Sequence, residues 1–184
     1  SQLLETLEQE KRVVLVVCPP HMGMRTTLLS LVHRHDPYTQ HIYTFEDEVH
    51  VKLEAVNHQT IDVNSPQLAQ QLKGLMLREP AVVMISQLSD PAPAKIMSEY
   101  AVQTSRFYAG LRQKDSFTAL KAWVNAIGEV KPAADALGAI IGQRLMRKLC
   151  PTCKVPYTPD AAVLKKLNLS ASKVTQLYKS SGKV

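Results

Sequence analysis

The segment with the clearest chemical potential is the loop Cys18-Pro-Pro-His-Met-Gly-Met-Arg25-Thr26-Thr27, which lies between an apolar run and a predicted helix. Phosphate-binding loops occur in this setting, with the pattern G-x-x-x-x-G-K-[ST]. Glycines turn backbone amides inward, the lysine reaches the terminal phosphates, and the hydroxyl holds Mg²⁺. In gapless register, the four chemical positions are filled by Cys18, Gly23, Met24 and Arg25. Only the second glycine of the pattern is therefore kept.

Two other interpretations of this loop stay open on spacing alone. A register slipped by one residue makes Arg25 the cation and Thr26 the hydroxyl. The loop also fits a plain connection between a strand and a helix, in which Cys18 is an inert small hydrophobic residue.

A second chemical pattern is the pair Cys150 and Cys153, whose C-x-x-C spacing presents two thiolates on one turn. Three cysteines are too few for a disulfide scaffold, and the pair follows a predicted helix, which disfavours a thioredoxin-like role. Tetrahedral zinc needs four ligands, and no Cys or His follows Cys153 in this sequence. The pair therefore predicts half of a zinc site and no closed site within this chain.

Composition and charge restrict the function classes. With 184 residues and 45% hydrophobic content, the chain can bury a full core. No run of about 18 apolar residues and no signal-peptide pattern is present, which favours a cytosolic protein or a fragment whose start is missing. Residues 131–184 carry ten Lys/Arg against two acids, a local charge of +8. Without an aromatic platform, this favours a solvated surface or a subunit contact over nucleic acid.

Buried strands alternate with amphipathic helices along the chain. This alternation predicts an α/β protein with a mainly parallel sheet, because unbroken β-branched runs indicate strands buried on both faces. The predicted helices are 1–11, 26–35, 65–78 (with Ser65 as N-cap and Pro66 in the first turn), 92–103, 116–128 and 132–148. The predicted strands are 13–17, 42–45, 81–85 and 106–110, with a β-hairpin formed by 49–56 and 59–63.

One long segment links these patterns to a known family. Gln143-Arg-Leu-Met-Arg-Lys-Leu-Cys-Pro-Thr-Cys-Lys154 resembles the QRLxRxLCxxCK segment of the type II secretion and type IV pilus assembly ATPases. Phe45-Glu-Asp-Glu-Val49 resembles their acidic Asp box, and Arg78-Glu-Pro-Ala-Val-Val-Met-Ile-Ser-Gln-Leu-Ser-Asp90 resembles their Walker B segment. Residues 104–116 lie where the family carries its His box. The resemblance covers about residues 10–160.

The resemblance implies a fold and a division of the chain. Residues 1–148 are expected to form the C-terminal RecA-like P-loop NTPase sandwich of these motors, which an N-terminal domain normally precedes. Residues 149–184 are expected to form a truncated helical appendage that carries Cys150 and Cys153. Zinc is expected there only if a second C-x-x-C pair lies beyond Val184.

The departures from the family pattern concentrate at the catalytic positions. Ser86 and Gln87 replace the Gly-Glu pair of Walker B, and a glutamine cannot accept a proton from water. Gln113 falls near the family's histidine, while the Asp-box acids Glu46 and Asp47 remain. The resemblance thus implies a degenerate member with no working catalytic residue, which hydrolyses ATP at background rate and binds Mg·ATP weakly or not at all.

The implied function is that of a non-hydrolysing structural or regulatory subunit of a secretion or pilus assembly machine. It would contact other subunits, form a homo-hexamer or a hetero-hexamer with an active paralogue, and meet inner-membrane platform proteins indirectly. Such a protein is cytoplasmic and peripheral to the inner membrane. Two alternatives remain: a divergent active ATPase that uses Arg25, Thr26 and Glu46, and a basic nucleic-acid-binding module.

Overall fold

The computed structural model describes residues 12–63, 65–170 and 174–182. The chain divides into two compact units, residues 1–145 and residues 146–184. The predicted helix over residues 1–11 lies outside the described residues.

The first unit is built on a six-stranded sheet in which every pairing is parallel. The strands are β1 (Val13–Val17), β2 (Ile42–Glu46), β3 (Asn57–Thr60), β4 (Val82–Ile85), β5 (Arg106–Leu111) and β6 (Leu137–Gly142), in the order β3-β2-β4-β5-β1-β6. This arrangement confirms the predicted α/β fold with a mainly parallel central sheet. The strands β1 and β4 are buried along their whole length, as their unbroken apolar runs predict.

Helices cover both faces of the sheet. They are α1 (Met24–Val32), α2 (Gln67–Met76), α3 (Pro91–Ala101), α4 (Ser116–Ile127) and α5 (Val130–Ala136). Helix α1 packs on one face, where Leu28 and Val32 lie against Val14 and Val16. The other four helices pack on the opposite face, around Phe107 and Trp123. The helix boundaries differ from the predicted ones by a few residues. Helix α2 begins at Gln67 with Pro66, and not Ser65, as its N-cap residue, and the Gln67 amide donates to Ser65 Oγ at 3.3 Å.

The predicted helix over residues 132–148 is wrong in its second half. Helix α5 ends at Ala136, and the chain continues directly as β6. Strand β6 adds to β1 in parallel, with Val14 opposite Ala139 and Val16 opposite Ile141. Pairing with a buried neighbour determines the conformation of this segment, and its β-branched isoleucines favour a strand over a helix.

The predicted hairpin near residues 49–63 is also wrong. Residues 49–56 form bends and turns, with Ala55 in the left-handed region at φ 56°. The single strand that follows, β3, runs parallel to β2 and places His58 opposite Thr44. The alternating pattern therefore contributes one edge strand to the main sheet.

The second unit contains a two-stranded antiparallel sheet and a short helix. The strands are β7 (Val155–Tyr157) and β8 (Leu177–Lys179), and the helix is α6 (Ala161–Lys166). The ammonium group of Lys154 lies 4.3 Å from the ring centroid of Tyr178, and that of Lys179 lies 5.7 Å from the ring of Tyr157. Within residues 146–170 and 174–182, the predicted helical appendage is thus helical only over Ala161–Lys166, and the segments on either side of that helix pair as strands. Among the described residues of the chain, no helix is long and apolar enough to cross a membrane.

Candidate functional site

The candidate site lies at the carboxyl ends of β1, β4 and β5. The connection after β1 runs over one face of the sheet as α1, whereas those after β4 and β5 run over the other face as α3 and α4. Such a change of face opens a crevice where ligands bind in open α/β sheets. The crevice has a volume of about 390 Å³, and its lining includes Gly23, Met24, Arg25, Asp47, Gln87 and Arg112.

The loop after β1 turns into α1 at Gly23, which has a left-handed backbone with φ 82°. Met24 is the first residue of the helix, and Arg25 is the second. His21 also has a positive φ, of 61°, and Pro19 and Pro20 have no backbone N–H to offer a ligand. The loop thus keeps the glycine turn of a phosphate-binding loop and has fewer inward donors.

The Met24 side chain lies against the backbone of β5. A Cβ atom added at Gly110 would collide with Met24 Sδ and with the carbonyl oxygen of Ser86. The thioether therefore packs at the end of the sheet, where β4 and β5 meet, and contacts the apolar cluster under α1. The Met24 thioether carries no charge and donates no hydrogen bond.

Gln143, just beyond the end of β6, braces the loop from the side. Its Nε2 donates a hydrogen bond to the carbonyl oxygen of Met22 at 2.7 Å, and its Oε1 accepts one from Thr27 Oγ1 at 2.5 Å. A Cβ atom at Gly23 would lie 3.3 Å from the same Nε2. Sequence reasoning missed this contact, and its only signal was that Gln143 opens the segment that carries the resemblance.

The two Asp-box acids occupy different environments. Glu46 is fully buried; its Oε1 accepts a hydrogen bond from Thr44 Oγ1 at 2.9 Å, and its Oε2 has no partner among the described residues. Asp47 lines the crevice, and its Oδ1 accepts a hydrogen bond from the Val63 amide at 3.0 Å. Only Asp47 therefore presents a carboxylate to the crevice.

His58 completes the buried group around Glu46, and sequence reasoning did not identify it. The Leu53 amide donates to His58 Nε2 at 2.9 Å, so the ring proton resides on Nδ1. Nδ1 lies 2.8 Å from Thr44 Oγ1 and 3.1 Å from Glu46 Oε1. Thr44 and His58 thus hold the Glu46 carboxylate in a buried position, and it does not line the crevice.

Gln87 and Gln113 come together in a second cleft of about 500 Å³, between the loops after β4 and β5 and helix α4. Gln87 also lines the first crevice, and its Nε2 donates to Ser89 Oγ at 2.8 Å. The Oγ of Ser86 is buried without a partner among the described residues. The structure thus places the carboxamides of Gln87 and Gln113 in the lining of one cleft, and a carboxamide does not act as a general acid or base.

The three cysteines differ in exposure. Cys18, at the end of β1, is 1% exposed, and burial raises the pKa of its thiol. Cys150 and Cys153 are exposed, and the Cys153 backbone amide is the main cause that lowers the pKa of Cys150. Across the described part of the chain, no three His, Cys, Asp or Glu side chains are grouped to hold a metal ion. The pair supplies two ligands, so these residues alone do not fit a closed zinc site.

The same test can be applied to Mg²⁺ and nucleotide at the loop. The crevice offers the cations of Arg25 and Arg112 and the carboxylate of Asp47. The helix position that would carry the Mg²⁺-binding hydroxyl is Arg25, and the position of the phosphate-binding lysine is Met24. The side chains at these two positions therefore differ from the lysine and the hydroxyl that the pattern uses for Mg·ATP.

Comparison with known proteins agrees with this fold. The sequence model of the family described as "Type II/IV secretion system protein" matches residues 1–183. The chain is 26% identical over 181 residues to the type IV pilus assembly ATPase PilB of Thermus thermophilus and 25% identical over 179 residues to the type II secretion system protein E of Pseudomonas aeruginosa. Both matches cover 97% of this chain, but only 20% and 36% of the relatives' own lengths.

Solved structures share the fold. The pilus retraction motor PilT with bound ADP superposes with a TM-score of 0.70 at 20% identity, over 82% of this chain and 47% of that one. The Legionella pneumophila ATPase DotB gives a TM-score of 0.66 at 14% identity, over 78% of this chain and 43% of that one. With the family match spanning nearly every residue, the chain belongs to the type II/IV secretion system protein family.

Proposed function

We propose that this chain serves a type II secretion or type IV pilus assembly machine as a subunit that keeps the motor fold and does not hydrolyse ATP. Its relatives are named as assembly and secretion ATPases, and the chain spans about a fifth to a third of their length. The whole protein's role is inferred from these names. The loss of hydrolysis is inferred from the site.

The observation that carries the proposal is the position of Met24. It follows the left-handed Gly23 and begins α1, which is the lysine position of a phosphate-binding loop. Its thioether packs against Gly110 and can neither neutralise nor donate to a phosphate. Losing a charge-assisted contact of this kind costs roughly 1.5–3 kcal/mol, about ten- to a hundredfold in affinity.

The acid–base positions support the same proposal. Gln87 cannot take a proton from water, and loss of a general base typically lowers a rate by about 10²–10⁴. Glu46 cannot substitute for it, because its carboxylate is fully buried beside Thr44 and His58.

The slipped register is the principal alternative, and the local backbone does not favour it. It would require the left-handed turn one residue later, at Met24, whereas that turn lies at Gly23. The proposal therefore leaves Arg25 as a surface cation of the crevice. Thr26, which would be the hydroxyl, is exposed on α1.

A subunit of this kind works through protein contacts. We propose that it assembles in the cytoplasm with other subunits of the machine, in a homo-hexamer or a hetero-hexamer with an active paralogue, and reaches inner-membrane platform proteins through them. Zinc binding would require further cysteines beyond Cys150 and Cys153. Nucleic acid is not part of the proposal, because the rings of Tyr157 and Tyr178 in the second unit already lie beside Lys179 and Lys154.

A binding titration tests the proposal. Fluorescent ATP with Mg²⁺ should bind the unchanged chain weakly or not at all. The double variant Met24→Lys, Arg25→Thr should gain at least about tenfold in affinity. Met24→Leu is the matched control, because it changes shape without adding charge. Tight binding by the unchanged chain that Arg25→Ala abolishes would contradict the proposal and favour the slipped register.

A further inference from the structure

The backbone of a phosphate-binding loop carries a left-handed glycine and a run of turn residues, and it needs a partner to hold this shape. In this chain Met24 and Arg25 stand where the pattern has its lysine and its Ser/Thr, so neither of those side chains is present to support the loop. The candidate partner is Gln143, which comes from 116 residues away along the sequence from Thr27.

Both the nitrogen and the oxygen of the Gln143 side-chain amide form hydrogen bonds with this loop or the helix that follows it. The amide nitrogen donates to Met22 O at 2.7 Å, and the amide oxygen accepts from Thr27 Oγ1 at 2.5 Å. The backbone of Gln143 is fixed as well, because its amide donates to Val17 O at 2.9 Å, at the end of β1. One residue thus bridges the start of the loop, its middle and the first turn of α1.

The Thr27 hydroxyl bonds to Gln143 in place of a carbonyl of its own helix. A helical threonine commonly returns its hydroxyl to the carbonyl four residues earlier, which here is that of Gly23. The Thr27 hydroxyl instead donates to Gln143, and only its backbone amide bonds to Gly23 O, at 3.2 Å. The flat amide of Gln143 also lies where a side chain at residue 23 would project.

We propose that Gln143 is the positioning residue that shapes the phosphate-type loop of this chain without any bound ligand. It holds the Met22 carbonyl and anchors the first turn of α1, and so it keeps Gly23 in the left-handed region. This role concerns the ligand-free loop, so it does not depend on whether the crevice binds nucleotide.

Hydrogen exchange of the full chain without nucleotide tests the role. In Gln143→Ala, the amides of residues 22–27 should exchange about tenfold faster, as expected for the loss of two hydrogen bonds. The amides of β4 should be unchanged. Gln103→Ala, at an exposed turn position, is the matched control and should change neither region.

Threonine variants give a second measurement that survives a poorly folded Gln143→Ala. Thr27→Val should accelerate loop exchange about fivefold, whereas Thr27→Ser, which keeps the hydroxyl, should exchange as the unchanged chain does. Gln143→Glu, which keeps the acceptor and loses the donor, should accelerate exchange at Met22 and Gly23 most. Equal loop exchange in Thr27→Val and Thr27→Ser, or loop and β4 amides accelerating together, would overturn the proposal.

Discussion

At the residue scale, the thiols of Cys150 and Cys18 lie in opposite environments. Cys150 is exposed, and the neighbouring Cys153 amide lowers its pKa, whereas burial raises the pKa of Cys18 above its ordinary value of 9.0. A thiol reacts as its thiolate, so the reactive fraction of Cys150 persists to lower pH. We expect iodoacetamide at neutral pH to alkylate Cys150 in the folded chain and to spare Cys18 until denaturant is added.

Peptide mapping by mass spectrometry measures this order. In the control variant Cys150→Ser, the early label should move to Cys153 and none should reach Cys18. Equal labelling rates for Cys18 and Cys150 in the folded chain would show that the end of β1 is open to solvent.

A second residue-scale prediction concerns the buried carboxylate of Glu46. Its Oε2 has no partner among the described residues, and a buried carboxylate without full hydrogen bonding destabilises a fold. We expect Glu46→Gln to raise the free energy of unfolding by about 1 kcal/mol, because an amide costs less to bury than a charge. Thr44→Val should lower it, since it removes the hydroxyl that donates to Oε1.

Urea unfolding measures both variants. A loss of more than about 1 kcal/mol in Glu46→Gln would mean that the contacts of Thr44 and His58 with Oε1 outweigh the cost of burying the carboxylate.

At the element scale, helix α4 depends on its first turn. Asp115 Oδ1 accepts from the Thr118 amide at 2.8 Å, and this bond is the main cause that lowers the pKa of Asp115 below 3.8. A depressed pKa means that the ionised cap stabilises the fold above the unfolded-state pKa, and that this contribution is lost as pH falls through the lower folded-state pKa. We expect Asp115→Asn to melt below the unchanged chain at neutral pH, with a difference that shrinks below pH 3.8.

Thermal melts over a pH series measure that difference. Asp115→Ala, which removes the cap itself, should melt lower than Asp115→Asn at every pH, because asparagine still accepts from Thr118. A difference between Asp115→Asn and the unchanged chain that grows toward low pH would contradict the role of the charge.

Element types followed from local pattern where burial on both faces imposes one, as in β1 and β4. They did not follow where a neighbour decides. Residues 137–142 pair with β1 and form a strand, although the residues before them are helical. Residues 57–60 join the edge of the parallel sheet at β2, although their alternating pattern also suits a hairpin. Parallel pairing joins segments distant in sequence, so no local window contains the information.

At the scale of the whole molecule, the fold could be predicted because the loop after β1, the segment 78–90 and the segment from Gln143 onward keep a family order. The contacts that shape the site could not. Gln143 reaches Thr27 across the ends of β1 and β6, and His58 reaches Glu46 through the register of β2 and β3. Both contacts arise from strand order, which spacing in the sequence does not reveal.

The measurement that tests the central claim most directly is Mg·ATP turnover by the purified chain, beside Arg25→Ala and the triple variant Met24→Lys, Arg25→Thr, Gln87→Glu. The account predicts that phosphate release by the unchanged chain equals the rate without protein, that Arg25→Ala does not change it, and that only the triple variant can rise above it. Turnover by the unchanged chain that Arg25→Ala abolishes would contradict the account and identify a divergent, working ATPase.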